Sequence, residues 1–69
     1  MTEREYLKEL GEKIRAARKR KGVSVEALSR MCGMDFSNFS RIQCGKKNPQ
    51  ILTLRRIAEA LGIDVKKLI

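Results

Sequence analysis

The side chains best suited to recognition chemistry lie in one stretch, residues 35–45, with the sequence DFSNFSRIQCG. A guanidinium such as that of Arg41 can donate two hydrogen bonds to guanine, and the carboxamide of Asn38 can pair with adenine or hold a phosphate. Ser37 is a short donor that suits either role. The ring of Phe36 suits a thymine methyl if it is exposed, and the core if it turns inward.

These side chains need a short helix to hold them, and the stretch carries helix signals at both ends. Asp35 can cap the first turn, and Gly45 can take the left-handed conformation that ends a helix. Met34 and Phe39 have the spacing of a hydrophobic staple, and Phe39 and Ile42 share one inner face. Such a helix suits a DNA groove. An ordinary amphipathic surface helix is the alternative that this stretch leaves open.

The composition favours a polyanionic partner. The chain has 69 residues, which predicts one domain over residues 1–69, and its formal net charge is +8, from 16 Lys+Arg against 8 Asp+Glu. A domain of this size buries only about 60% of the surface that its unfolded chain exposes, so we expect marginal stability. The charge excess indicates nucleic acid or an anionic membrane, with simple solubility as the alternative.

Several classes of site are not expected. There is no histidine, and Cys32 and Cys44 form no Cys-x-x-Cys pair, so we predict no metal site and no cofactor. We expect Cys32 to be a small buried apolar residue, with redox sensing by either cysteine as the alternative. The absence of a secretory signal favours reduced thiols in the cytoplasm. No apolar run is long enough to span a bilayer, and no catalytic constellation or small-molecule site is evident, so the chain is not expected to be an enzyme.

The rest of the chain predicts an all-α fold of five helices without strands. A capping box from Thr2 to Glu5 opens the first helix, and Gly22 ends it. Ser24 caps a second helix that runs to about Cys32. The tight turn from there to the helix after Asp35 is typical of a helix-turn-helix. The first helix has one apolar stripe: Leu7, Leu10, Ile14 and Ala17.

Two further helices are predicted after a polar, basic loop. Gln50 is a poor N-cap, so the start of the fourth helix is weakly specified, while Gly62 ends it. A cap at Asp64 opens a short fifth helix. The fourth helix has its own stripe: Ile51, Leu54, Ile57, Ala58 and Leu61.

In this order and at these separations, the segments resemble the phage-repressor/Cro-type helix-turn-helix domain, the XRE family. The resemblance covers residues 7–68. It is carried by LGEKIR at 10–15, RKRKG at 18–22, EALS at 26–29, FSRI at 39–42, GKKNP at 45–49, TL at 53–54 and IAEALGI at 57–63. It implies a compact five-helix lambda-repressor-like domain with the helix-turn-helix at helices 2 and 3. The implied function is sequence-specific binding of double-stranded DNA as a transcriptional regulator of the repressor type.

The resemblance also implies which residues face DNA, with the helix at about 36–44 in the major groove. Base edges would be contacted by Phe36, Ser37, Asn38 and Arg41. The DNA backbone would be contacted by Ser40, Lys46, Lys47, Asn48, Arg18 and Arg30. For the two lysines, solvated loop charges are the alternative.

The sequence departs from the family pattern at three positions that concern the backbone contacts. Val25 stands where the family usually has a phosphate-binding glutamine, so that contact is expected to be lost, or replaced by Arg30 or a basic residue of the first helix. Gln43 stands where a glutamate often pairs with Arg18, and an amide accepts a hydrogen bond without neutralising the guanidinium. Arg18 is then less buried than usual or freer to meet DNA. Cys44 removes another possible phosphate contact.

Modules of this kind usually bind near-palindromic operators as two-fold dimers. The chain end supplies the predicted homodimer interface, Val65, Leu68 and Ile69, of which Leu68 is the residue most suited to covering the domain's own core. Two rival functions remain open at this point. One is an antitoxin-like or adaptor module that binds an acidic protein and has only weak non-specific DNA binding. The other is an amphipathic membrane-surface protein, against which the many caps and glycine stops argue.

Overall fold

Four α-helices and a closing 3₁₀ turn make up the fold, and no strand is present. A computed structural model describes all residues from 1 to 69. The helices are α1 (Glu3–Lys21), α2 (Val25–Met31), α3 (Phe36–Gln43) and α4 (Ile51–Leu61), followed by the 3₁₀ turn Val65–Lys67. The all-α prediction is confirmed. The predicted fifth helix is a single 3₁₀ turn, because Leu68 returns to the core only three residues after it begins.

The helix boundaries follow from caps that the sequence encodes. At α1 the Thr2 hydroxyl accepts a hydrogen bond from the Glu5 amide at 3.1 Å, and the Glu5 carboxylate accepts one from the Thr2 amide at 3.1 Å. Ser24 caps α2 and Asp35 caps α3 in the same way. Gln50 makes no side-chain cap at α4, as the sequence indicates. These bonds satisfy amide groups that a helix start otherwise leaves unpaired.

One hydrophobic core lies between the helices. Its most deeply buried large side chains include Ile14 of α1, Phe39 of α3 and Ile57 of α4, each without measurable exposure. The predicted stripes of α1 and α4 supply most of the remainder, with Leu7 only partly buried. The prediction that Ile51 joins the buried stripe of α4 is wrong, because its side chain is 56% exposed. Ile51 occupies the first position of α4, and Pro49 and Leu54 are buried at this end instead.

The closest approach in the fold joins α1 to the C-terminal end of α3. Gly11 is buried in the middle of α1, and a Cβ atom there would lie 2.1 Å from the carbonyl oxygen of Gln43. A Cβ atom on Gly45 would lie 2.8 Å from the Cα atom of Lys8. The two backbones therefore touch at both glycines, which fixes α3 against α1.

No helix of the protein has both the length and the apolar character that crossing a membrane requires.

Candidate nucleic-acid interface

A short turn sets the angle between α2 and α3. Gly33 adopts φ 66°, in the left-handed region, and the Met34 amide donates to the Ser29 carbonyl at 2.9 Å. The Ser29 side chain is itself buried, and its hydroxyl donates to the Glu26 carbonyl at 2.8 Å. This left-handed turn with its bonded ends closes α2 and allows α3 to start at once, which is the helix-turn-helix arrangement.

The two faces of α3 differ sharply in exposure. Phe39 and Ile42 are buried at 0% and 1% exposure, so they hold the helix from behind. Arg41 and Ser37, one helical turn apart, are both exposed. Phe36 is 49% exposed and lies outside the core cluster. Between the two alternatives for Phe36, the structure leaves its ring about half exposed and outside the core.

Asn38 is half-buried and contacts the loop that follows α3. The ammonium group of Lys47 donates to its Oδ1 atom. The amide nitrogen of Asn38, which is the donor of this side chain, makes no hydrogen bond within the chain. This contact links α3 to the loop residues.

The residues predicted to contact the DNA backbone differ in accessibility. Lys46, Lys47 and Asn48 are exposed in the loop after α3, and the Lys46 amide donates to the Arg41 carbonyl at 2.9 Å. Arg30 is exposed in the last turn of α2. Ser40 is half-buried on α3. Apart from Ser40, these groups form an open and mostly basic border around α3.

Arg18 has a different environment from the other cations. It is half-buried, its Nε group donates to the Gln43 Oε1 atom at 3.1 Å, and its Nη1 group donates to the Val23 carbonyl at 2.8 Å. The predicted pairing of Arg18 with Gln43 is present. Because these donors are used within the chain, Arg18 ties the end of α1 to the end of α3. Val25, at the position where the family usually has glutamine, is half-buried against the core.

The positive charge around α3 is not neutralised within the chain. The single ion pair in the protein joins Lys13 to Glu9 at 3.3 Å, on the exposed side of α1. Neither Arg41 nor Lys46 has a carboxylate partner, so their charges are available to an external anion.

Neither cysteine takes part in a disulfide, and no cluster of three metal-ligating side chains is present. Cys32 is buried in the core, as predicted, and burial raises the pKa of its thiol while the nearby charge of Arg56 opposes the rise. Cys44 is exposed at the end of α3. In the first turn of α1, hydrogen bonds from the backbone and the side chain of Thr2 lower the pKa of Glu5.

The predicted dimer interface requires one correction. Leu68 is only 1% exposed and belongs to the core of its own domain, because the 3₁₀ turn directs it back under α4, so it offers no surface to a second molecule. Val65 is half-buried, and Ile69 is 51% exposed. Two further exposed apolar side chains were missed from the sequence: Ile51 and Leu52, at 56% and 67% exposure, in the first turn of α4.

Sequence reasoning also missed the role of Gly11 and Gly45 in placing α3. A signal was available for Gly11, because a glycine inside a helix costs stability and often marks a close approach. For Gly45 the helix-ending role was predicted correctly. Its contact with the backbone of Lys8 depends on how two distant segments pack, which local sequence does not reveal.

Comparison with known proteins agrees with this geometry. The family described as Helix-turn-helix domain matches residues 11–69. The chain is 29% identical over 60 residues to the uncharacterized HTH-type transcriptional regulator y4dJ of Sinorhizobium fredii, covering 87% of this chain and 78% of the relative. The restriction-modification controller protein C.AhdI from Aeromonas hydrophila superposes with a TM-score of 0.93, at 28% identity and with all of both chains covered. The hypothetical transcription factor NHTF from Neisseria superposes with a TM-score of 0.88, at 29% identity, covering 99% of this chain and 78% of that one.

Proposed function

The chain belongs to the helix-turn-helix domain family, and on this premise we propose that it regulates transcription by binding specific sequences of duplex DNA, with α3 in the major groove. Residues 1–69 act as one DNA-binding unit in this proposal. The reported relatives are named as an uncharacterized transcriptional regulator, a hypothetical transcription factor and a restriction-modification controller, which supports the same class of activity. The proposed activity is binding rather than catalysis, and the proposed location is the cytoplasm, with access to DNA.

The observation that carries the proposal is the orientation of α3. Phe39 and Ile42 fix the helix from behind, while Ser37 and Arg41 are exposed on the opposite face and Phe36 is 49% exposed at the first position of the helix. The major groove of B-DNA is wide enough to admit an α-helix. A rigidly held helix with an exposed guanidinium and hydroxyl can donate hydrogen bonds to acceptors on base edges. Its aromatic ring can pack on a thymine methyl.

Each outward residue then has a distinct role. Arg41 donates two hydrogen bonds to the O6 and N7 atoms of one guanine, the commonest specific contact in this groove. Phe36 packs on a thymine methyl, and Ser37 donates to a base edge at short range. Asn38 donates through its amide nitrogen to a base edge or a phosphate, and its Oδ1 atom, which has two lone pairs, also accepts from Lys47.

The border residues supply affinity that does not depend on sequence. Lys46, Lys47 and Asn48 approach phosphates from the loop after α3, with Ser40 contributing from the helix itself. Arg30 approaches them from the end of α2 and takes the place of the contact that Val25 cannot make. Arg18 acts by positioning α3, since it is half-buried and its Nε and Nη1 groups donate within the chain. Phosphate contacts of this kind fix the register of a protein on duplex DNA.

We also propose that the protein binds as a homodimer to a near-palindromic operator. Ile51 and Leu52 are adjacent and exposed in the first turn of α4, and no other part of the chain covers them. Farther along the same helix, Arg55 and Glu59 form no ion pair with each other or with other residues. A two-fold axis beside α4 would bury the apolar pair and bring Arg55 of one molecule to Glu59 of the other.

Sedimentation velocity at micromolar concentration, with and without duplex DNA, tests the dimer. Leu52→Glu is expected to shift the protein to monomers because it places a charge in the apolar contact. Tyr6→Glu is the matched control, since Tyr6 is 52% exposed on α1, outside the proposed interface. The dimer proposal fails if the unmodified protein sediments only as a monomer under both conditions.

Selection of binding sites from a random duplex library tests the proposed function. We expect one enriched sequence with two half-sites centred about 34–36 Å apart, the separation of one helical turn of DNA. Equal binding of selected and random duplexes would instead support the protein-interaction module that the sequence left open.

A further inference from the structure

We propose that Arg4 and Lys8 of α1, together with Lys46, form a second phosphate-binding surface that holds the DNA backbone beside the C-terminal end of α3. This inference rests on the proposed function and adds to it two residues that sequence reasoning did not assign. The three residues line an open groove of about 780 Å³ between the start of α1 and the loop after α3. We call it the α1 groove.

The charge of the α1 groove is strongly one-sided. Arg4, Lys8 and Lys46 line it, and Glu3 is the single carboxylate there. None of the three cations forms an ion pair within the chain, because the one ion pair of the protein joins Lys13 to Glu9. Three cations held around one groove repel each other, and an anionic ligand relieves that repulsion. The backbone of duplex DNA presents such anions in a regular row.

The position of the α1 groove is fixed relative to α3. The Gly45 backbone packs directly on the backbone of Lys8, where an added Cβ would come within 2.8 Å of the Lys8 Cα atom. The next residue, Lys46, is tied by its amide to the Arg41 carbonyl at 2.9 Å. Lys8 and Lys46 are therefore held on either side of the residue that ends α3. A DNA strand that passes the C-terminal end of α3 would lie close to both Lys8 and Lys46.

A contact at this place also adds positive charge where Arg18 is occupied. The Nε and Nη1 groups of Arg18 donate to Gln43 and Val23 within the chain. Arg4 and Lys8 are free, exposed donors on the same helix as Arg18.

The salt dependence of DNA binding tests the proposal. The double variant Arg4→Gln/Lys8→Gln is expected to lower the magnitude of the slope of log K against log salt by about 1.8 per bound subunit, because each phosphate contact on B-DNA contributes about 0.9. Its base preference in library selection is expected to stay unchanged. The control is Arg20→Gln/Lys67→Gln, which removes the same charges from a different recess, lined only by α1 and residues 63–67.

The control variant is expected to leave the slope nearly unchanged. If the two double variants lower the slope equally, the α1 groove makes no special contact and the proposal is overturned. If the unmodified protein selects no sequence at all, the proposed function fails, and that result is separate from the comparison of slopes.

The exposed thiol of Cys44 supplies a second measurement on the unmodified protein. Cys44 lines the α1 groove, whereas Cys32 is buried and serves as an internal control. With selected duplex at ten times its Kd, alkylation of Cys44 by N-ethylmaleimide is expected to slow about tenfold, since about nine-tenths of the protein is bound. An unchanged rate would show that DNA leaves the groove open and would overturn the proposal even if the double variant failed to fold.

Discussion

Arg18 and Gln43 join the C-terminal ends of α1 and α3 through a hydrogen bond of 3.1 Å from Nε to Oε1. The acceptor is a neutral amide, so the bond fixes the position of the helix end without neutralising the guanidinium. The second donor of Arg18 reaches only a backbone carbonyl. A half-buried positive charge therefore remains at the end of the helix that is proposed to read DNA.

Gln43→Glu is expected to separate the effects of this bond on stability and on binding. A carboxylate keeps the hydrogen bond and adds an ion pair, which should raise the free energy of unfolding by up to about 1 kcal/mol at neutral pH. The same carboxylate adds negative charge close to the DNA backbone, so the affinity for duplex DNA should fall. Thermal unfolding and titration with duplex measure the two effects. A variant that is unchanged in both would show that the charge of Arg18 acts on neither.

Gly11→Ala is expected to destabilise the fold by about 1–3 kcal/mol, the usual cost of overpacking, although alanine favours helices by up to about 1 kcal/mol over glycine. The reason is that the new methyl group would lie 2.1 Å from the Gln43 carbonyl oxygen, which is backbone and cannot move aside alone. The measurement is chemical denaturation of both proteins.

Gly22→Ala is the control for this prediction. Gly22 has φ 78° and no atom within 4 Å of an added Cβ, so its cost is the backbone strain alone, about 1–2 kcal/mol. The two variants should also differ in DNA affinity, because only Gly11→Ala displaces α3. A DNA affinity unaltered in folded Gly11→Ala would contradict the proposed role of this contact.

The buried thiol of Cys32 is expected to make the folded protein less stable in alkaline solution. Burial raises the pKa of its thiol above the ordinary value of 9.0. The contribution of a neutral buried thiol is fully present below that value and is lost as the pH rises through the raised pKa of the folded protein. Cys32→Ala should therefore cost about 1 kcal/mol at pH 7, and this cost should shrink above pH 9.

Denaturation of both proteins from pH 7 to pH 10.5 measures this difference. Cys44→Ala, at an exposed position, is the control and should cost little at every pH. A cost for Cys32→Ala that stays constant across the range would contradict the assigned role of burial.

The parts of the fold that the sequence predicted well are those encoded locally. The caps at Thr2, Ser24 and Asp35 and the turn at Gly33 depend on a few consecutive residues, and all of them form as expected. The inward direction of Phe39 follows from helical spacing in the same way. These features suffice to identify the helix-turn-helix.

What the sequence did not predict depends on packing between distant segments. Ile51 continues an apolar stripe in sequence but lies where Pro49 already closes the core. The contact between Lys47 and Asn38 likewise depends on the path of a loop, which the local sequence does not specify.

Arg41 is exposed on α3 and is proposed to read one guanine, so the proposed DNA recognition depends most on this residue. Library selection with the unmodified protein, with Arg41→Ala and with Lys46→Ala tests this assignment most directly. Arg41→Ala should lose about 1–3 kcal/mol per half-site and its preference at one base pair of each half-site, whereas Lys46→Ala should weaken all duplexes alike and lower the magnitude of the salt slope by about 1 per subunit. If Arg41→Ala keeps the full preference of the unmodified protein at every position, α3 does not read DNA through this residue.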